Sequence, residues 1–249
     1  MKISIITVSY NAVTTIEETI NSVLNQSYQN IEYVIIDGGS SDGTQAIIEK
    51  YADRIAYCIS EPDGGIYLGM NKGIAACTGD YIGILNADDV YASTAVIFDV
   101  VELLQTSKAK TLYGDLEYVS EQDLNDVVRK WDSGSFNHNK FLIGWMPPHP
   151  TFFVKKDLYN KFGLFNTSFK ISADYELMLR FLFKNKLSAV YLPKTLIKMR
   201  VGGVSNSSMK NRLLANREDR KAWRINGIRP KWFTLLMKPA SKVMQFLKK

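Results

Sequence analysis

Four short apolar runs, at 3–8, 31–36, 55–59 and 81–85, punctuate the first third of this 249-residue chain. Each is rich in β-branched or aromatic residues and reads as a strand covered on both faces. Helical patterns lie between them. Ile16, Ile20, Val23 and Leu24 follow a Thr14–Glu17 capping box, and a second helix spans 45–51. Strand and helix alternating at this pace predict right-handed βαβ units and a mostly parallel sheet. Such sheets bind ligands at the carboxyl edge of their strands, so the residues after each run carry the functional information.

Two of those exits are acidic. The run 81–85 drops into Asn86-Ala87-Asp88-Asp89, and the run 31–36 ends in Asp37-Gly38-Gly39-Ser40-Ser41-Asp42-Gly43-Thr44. Adjacent carboxylates after a strand are either a helix cap or oxygen ligands for Mg²⁺ or Mn²⁺ arriving with a substrate phosphate. Asp37 can accept hydrogen bonds from a base imide or a ribose hydroxyl. Tyr10, just past the first strand, offers a flat face to a base. Together these describe a nucleotide-diphosphate site. The glycine-rich turn is neither a dinucleotide fingerprint nor a P-loop. A third acid, Asp174, opens a helix expected from Ser172 to about residue 185. At 100° per residue it shares the face of Leu177, Met178 and Phe181, while Glu176 turns outward to pair with Arg180. Asp174 is a candidate general base or a partner of the helix dipole.

In combination, Ser4-Ile5-Ile6-Thr7-Val8-Ser9-Tyr10-Asn11, the 37–44 turn, Asn86-Ala87-Asp88-Asp89 and Ala173-Asp174-Tyr175 resemble glycosyltransferase family 2. Its members are inverting enzymes with a GT-A fold. The likeness runs through 1–205 in motif order and is strongest over about the first 100 residues. It implies a Rossmann-like α/β domain at 1–205, with a nucleotide-sugar half at 1–115 and an acceptor half at 116–205. By the same likeness, Val8, Tyr10 and Asp37 hold the base, and Asp63, Asn71 and Lys72 lie near base and diphosphate. Ala87 and Asp88 meet the nucleotide, Asp89 with Asp88 holds the divalent metal, and Asp174 deprotonates the acceptor hydroxyl. Three positions depart from the family's commonest pattern: Asn86 replaces an Asp, Ala173 replaces a Glu, and Leu68-Gly69 replaces Asp-Ala. With Asn at 86, the metal is expected to rest mainly on Asp89.

The net charge of +6 is unevenly placed. Residues 206–249 hold twelve Lys and Arg against Glu218 and Asp219, which leaves 1–205 at −4. That distribution argues against a nucleic-acid-binding core. The segment 206–249 is read as a basic, helical, amphipathic extension. Its Trp232, Phe233, Leu235 and Leu236, and its Val243, Met244, Phe246 and Leu247, are interleaved with five lysines. It either meets an anionic membrane surface or packs on the domain. The expected setting is cytoplasmic and peripheral to the inner face of the cell membrane, because no signal peptide or spanning segment is evident. The donor is expected to be a UDP-sugar. The acceptor is expected to be a saccharide, lipid-linked, of a bacterial surface polysaccharide. A non-catalytic nucleotide-sugar-binding protein is the alternative. Cys58 and Cys77 are expected to be reduced core thiols. The irregular stretch 132–150 is expected to shape the acceptor pocket. Within or near it, His149 and the Trp131/Phe141/Trp145 group are either acceptor contacts or structure. Arg200 with 202–205 is either a segment closing over the diphosphate or a surface turn.

Overall fold

The computed structural model describes residues 1–202, 209–231 and Thr234. The first half runs β1 (Ile3–Ser9), α1 (Ile16–Leu24), β2 (Ile31–Asp37), α2 (Thr44–Glu49), β3 (Tyr57–Ser60), α3 (Ile66–Ala76) and β4 (Tyr81–Ile84). A two-residue strand β5 (Val90–Tyr91), α4 (Val96–Ser107), β6 (Thr111–Val119) and β7 (Val127–Trp131) follow. The chain continues through β8 (Phe153–Lys155), α5 (Lys156–Phe162), α6 (Ala173–Met178), β9 (Val190–Arg200) and α7 (Met209–Ile225). All the described strands join one sheet in the order β3-β2-β1-β4-β8-β6-β9-β5, with β7 on β6. The ladders β3-β2-β1-β4 and β6-β9 are parallel and hold most of the paired residues, while β8, β5 and β7 join antiparallel.

Both faces of the sheet are buried, as the unbroken apolar runs require. Successive residues of β1 serve opposite cores: Ile6 packs with α3 and α6, and Ile5 with α1 and α4. The approach of α3 is close. A Cβ at Gly73 would lie 2.5 Å from Cγ2 of Ile6, so only glycine lets the helix seat there. The amino edge of the parallel block is fastened by Glu32. Its buried carboxylate accepts from Lys2 Nζ (2.7 Å), Ser4 Oγ (2.5 Å), and both the N–H and the hydroxyl of Thr78 (2.6 Å each).

Several local expectations are corrected. Helix α1 begins at Ile16, so the Thr14–Glu17 capping box does not form; Thr15 Oγ1 donates instead to the Ala87 carbonyl (2.8 Å). Strand β3 is an exposed edge, and Cys58 on it faces solvent; only Cys77 is buried, and both thiols are free. The Asp174 helix is α6 followed by a π-helical stretch, Leu179–Lys184. Ser172 sits at its N-cap position without a capping hydrogen bond. Glu176 does pair with Arg180 (3.0 Å), but it is buried rather than outward because α7 covers it. Two expected strands after 189 are one strand, β9. Its register shifts between Gly114 and Asp115 of β6, leaving Pro193 unpaired as proline requires. The front of the segment read as an extension, α7, belongs to the domain, since Ala222 and Trp223 are fully buried in its core. The residues expected to bind a membrane, from Trp232 onward, lie outside the described residues save Thr234. Among the described residues no helix is long and apolar enough to cross a membrane.

The Glu32 cluster gives a test of the sheet edge. Burial raises its pKa, and the hydrogen bonds from Lys2, Ser4 and Thr78 outweigh burial, holding it at about 2 against an ordinary 4.5. A depressed carboxyl contributes stability that is complete above about pH 4.5 and lost as pH falls through about 2. Glu32→Gln is expected to lower unfolding free energy by ~2 kcal/mol at pH 7. The difference from wild type should shrink as urea titrations are repeated from pH 4.5 downward.

Candidate active site

The carboxyl edge of β1, β2 and β3 is gathered around one buried carboxylate. Asp37 Oδ1 accepts from Ser9 Oγ (2.8 Å) and Ser40 Oγ (2.6 Å). Its Oδ2 accepts from Ser60 Oγ (2.6 Å) and from the N–H groups of Ser40 (2.9 Å) and Gly39 (3.2 Å). Burial pushes its pKa up, and these bonds more than reverse that, leaving it below the usual carboxylate range. Both oxygens have partners within the protein, and through them Asp37 holds the loops at this edge. Asn11, at φ 48°, receives the Ser41 N–H on its side chain and donates its own N–H to Ser40 Oγ. Those bonds leave Tyr10, 67% exposed, standing out from the turn.

The second carboxylate at this edge is better placed for a ligand. Asp63 precedes α3, is half-buried, and accepts from the Gly65 N–H at 2.8 Å. A Cβ on Gly38 would lie 3.4 Å from its Oδ1. One on Gly69 would lie 2.7 Å from Oδ2 and 3.3 Å from Val8. Asp63 and Val8 thus pack closely on Gly69, where a Cβ would clash, while Gly38 lies at ordinary contact distance from Asp63. The departure Leu68-Gly69 from the expected Asp-Ala is part of this packing. Asn71 and Lys72 each have a partner of their own. Asn71 makes a two-way bond with the backbone of Phe165 (2.9 Å each way), and Lys72 pairs with Glu61 (2.7 Å).

The Asn86–Asp89 turn leaves β4, the parallel neighbour of β1. Ala87 and Asp89 are anchored through their carbonyls by Thr15 and Thr19 (2.8 Å each). Asp88 is anchored through its carbonyl by Arg200 Nη1 (2.6 Å). Arg200 is itself buried, pairing with Glu18 and the Glu121 carbonyl. It is a structural anchor of the acidic turn rather than part of a closing segment. Residues 203–205 lie outside those described. Burial raises the Asp88 pKa above the usual range, partly offset by Arg200. Burial and the neighbouring Asp88 push Asp89 well above it. Asn86 Nδ2 donates to Asp89 Oδ2 (3.1 Å), yet Asn86 Oδ1 and Asp89 Oδ1 are buried with no hydrogen-bond partner. Buried oxygens left over in this way suit a hard cation. Among the described residues no three His, Cys, Asp or Glu side chains group closely enough to hold a metal alone. The residues fit an ion held by Asp88 and Asp89 and completed by ligand oxygens, not an all-protein cage.

Asp174 stands across the first turn of α3. Tyr67 OH lies 3.4 Å from its Oδ1 and donates to the Ile171 carbonyl (2.6 Å). Phe165 stacks on Tyr67 (5.7 Å between ring centroids) and meets His149 edge-on, also at 5.7 Å. Burial lowers the His149 pKa, and the nearby Asp174 opposes that shift. His149 is thus a neutral neighbour of the acid, joined to it by packing that a lone histidine in a proline-rich loop did not reveal. The aromatic group divides. Trp145 packs edge-on against Tyr113 and Phe141 (5.9 Å each), whereas Trp131 belongs to the opposite core.

Residues 4–172 match the family described as Glycosyl transferase family 2. An uncharacterized glycosyltransferase of Mycobacterium tuberculosis is 35% identical over 180 residues, covering 72% of this chain and 68% of its own. A UDP-Glc:alpha-D-GlcNAc-diphosphoundecaprenol beta-1,3-glucosyltransferase of Escherichia coli, WfgD, is 29% identical over 219 residues, 87% of this chain and 84% of its own. The solved structure of S. aureus TarS 1-349 with UDP-GlcNAc superposes with a TM-score of 0.71 at 18% identity. This chain covers 65% of that one, and 91% of this chain is matched. The mannosyltransferase PcManGT of Pyrobaculum calidifontis, solved with GDP-Man and Mn²⁺, gives 0.62 at 17% identity over all of this chain and 76% of its own.

Replacing the hub carboxylate tests the donor edge. Asp37→Asn turns one acceptor oxygen into a donor facing hydroxyls and N–H groups. It is expected to cost ~2–3 kcal/mol of unfolding free energy. Calorimetric titration with UDP should show weakened binding alongside that loss, since Tyr10 and Asp63 sit on the loops it holds.

Proposed function

We propose, from the premise that this chain belongs to glycosyl transferase family 2, that it moves a sugar from a UDP-sugar to a saccharide hydroxyl with inversion. A glycosyltransferase with a nucleotide-sugar donor is the activity its family and relatives support. The observation that carries the finer reading is the pair of unpartnered buried oxygens, on Asn86 and Asp89, beside Asp88 at the sheet's carboxyl edge.

In this reading Tyr10 lies along the base and Asp63 accepts from it. Asp37 holds the loops that carry both. Asp88 and Asp89 hold a divalent cation, which when bound neutralises charge on the departing diphosphate. Asp174 takes the proton of the acceptor hydroxyl as that oxygen bonds to the anomeric carbon. The bond from that carbon to the diphosphate oxygen breaks, and its electron pair leaves with the nucleotide. One displacement inverts the centre, and no protein nucleophile takes part. Tyr67, Phe165 and His149 give the hydroxyl a partly desolvated seat, which favours proton transfer to a fixed carboxylate. A lipid-linked saccharide acceptor is supported by WfgD, whose name specifies a diphosphoundecaprenol-linked sugar.

The test is a panel of UDP-, GDP- and dTDP-sugars with a synthetic α-GlcNAc-diphospholipid, scored by nucleotide release with Mn²⁺ and with EDTA. Release is expected with a UDP-sugar and is expected to need the metal. Asp174→Asn should lower turnover by about 10²–10⁴ while leaving UDP affinity within about twofold. Nucleotide-sugar binding without turnover across the panel would favour a binding protein instead.

A further inference from the structure

The segment that delivers Asp174 is held from outside its own helix. Three consecutive backbone N–H groups, of Lys170, Ile171 and Ser172, converge on the carboxylate of Glu218 at 2.8, 2.9 and 2.9 Å. Glu218 lies on α7, 46 to 48 residues further along the chain than these donors, and is 6% exposed. Successive N–H groups of this kind form an anion-binding nest, and here the anion is a side chain of the protein. The Ile171 carbonyl is taken from the opposite side by Tyr67 OH. Both polar groups of one peptide segment are therefore clamped, by α7 and by α3, three residues before Asp174. The same α7 is fastened twice more to α6. Trp223 Nε1 donates to Tyr175 OH (2.8 Å), and Asn226 Nδ2 donates to Glu176 Oε1 (3.0 Å).

Charge-assisted bonds to a buried carboxylate are among the stronger contacts available to a backbone. Their loss leaves donors unpaired in a dry place. We propose that Glu218 is a positioning residue for the reaction: by filling the 170–172 nest it sets the height and direction at which Asp174 meets the acceptor hydroxyl. The proposal rests on the reading of Asp174 as base. It also brings into the catalytic unit a helix lying beyond residues 4–172, the part that matches the family.

Glu218→Gln keeps the size of the side chain and sets an amide NH₂ against N–H donors. Using the donor that turns over in the panel, kcat is expected to fall ~10- to 100-fold, as a displaced catalytic group does. Donor KM and UDP affinity should stay within about twofold, because the donor edge is untouched. Amide hydrogen exchange at 170–174 should rise at least ~tenfold, with β1–β4 unchanged. In an Asp174→Asn background Glu218→Gln should cost less than about twofold, because the group it positions is gone. Glu218→Asp, which keeps the charge but shortens its reach, should lose less kcat and less exchange protection than Glu218→Gln, and carries the test should Glu218→Gln fail to fold. Unchanged exchange at 170–174, a loss confined to donor KM, or a full additional loss on top of Asp174→Asn would each overturn the proposal. Wild-type turnover by Asp174→Asn alone would overturn the base assignment, while the exchange measurement would still report whether Glu218 holds the segment.

Discussion

Five donors converge on the two oxygens of Asp37, and they come from the ends of β1 and β3 and from the turn that follows β2. A buried carboxylate is costly unless hydrogen bonds favour its charged form, and this one has more donors than a cap or a surface turn provides. Its consequence is geometric. Three strand ends, already paired through their ladders, are also tied through their side chains to one carboxylate. Tyr10, Gly38 and Asp63 lie on the loops that leave this point. Gly69 then lets Asp63 and Val8 approach α3 closely, because a Cβ there would lie 2.7 Å from Asp63 Oδ2.

The acidic turn after β4 is built on a different principle. Its carbonyls are anchored, by Thr15, Thr19 and Arg200, while Asp89 and Asn86 each keep a buried oxygen unpartnered. Anchoring the backbone fixes the position of the carboxylates, and Asn86 engages only one oxygen of Asp89. The buried Asp89 and the partly buried Asp88 repel, and burial already pushes both toward the protonated form. An arriving cation would reverse both pressures at once. The contrast with Asp37 lies in the partners: five donors reach the oxygens of Asp37, whereas Asp89 keeps one buried oxygen with none.

Much of this was readable in the chain. The continuous apolar runs fixed β1, β2 and β4, because only a doubly covered strand is apolar on both faces. The acidic exits followed from where those runs stop. The reading failed where an outcome depends on distant partners. The bonds that Asp37 receives from Ser9 and Ser60, 28 and 23 residues away, left no mark in the sequence. Thr14 and Glu17 match a capping box, but Thr15 gives its hydroxyl to Ala87 across the β4 exit. Glu176 has the spacing of a solvated pair with Arg180, and α7 buries it. Glu218 carried no local signal at all: a glutamate on a strongly polar helix resembles any surface acid until its three backbone donors are seen.

The need for Glu218 follows from the shape of the element it serves. Helix α6 is six residues long before it widens into a π-helical stretch. A helix this short has little stability of its own, and its position is set by what it touches. Its packing face, Leu177 and Met178 with Phe181 beyond, fixes depth but slides along the sheet more readily than a hydrogen-bonded contact would. The polar clamps remove that freedom: Glu218 and Tyr67 on the 170–172 segment, and Asn71 on the backbone of Phe165. Two of those three reach out from α3, the helix that begins just after Asp63. The spacing between Asp63 and Asp174 is thus carried largely by one helix, and α7 closes the frame from the other side.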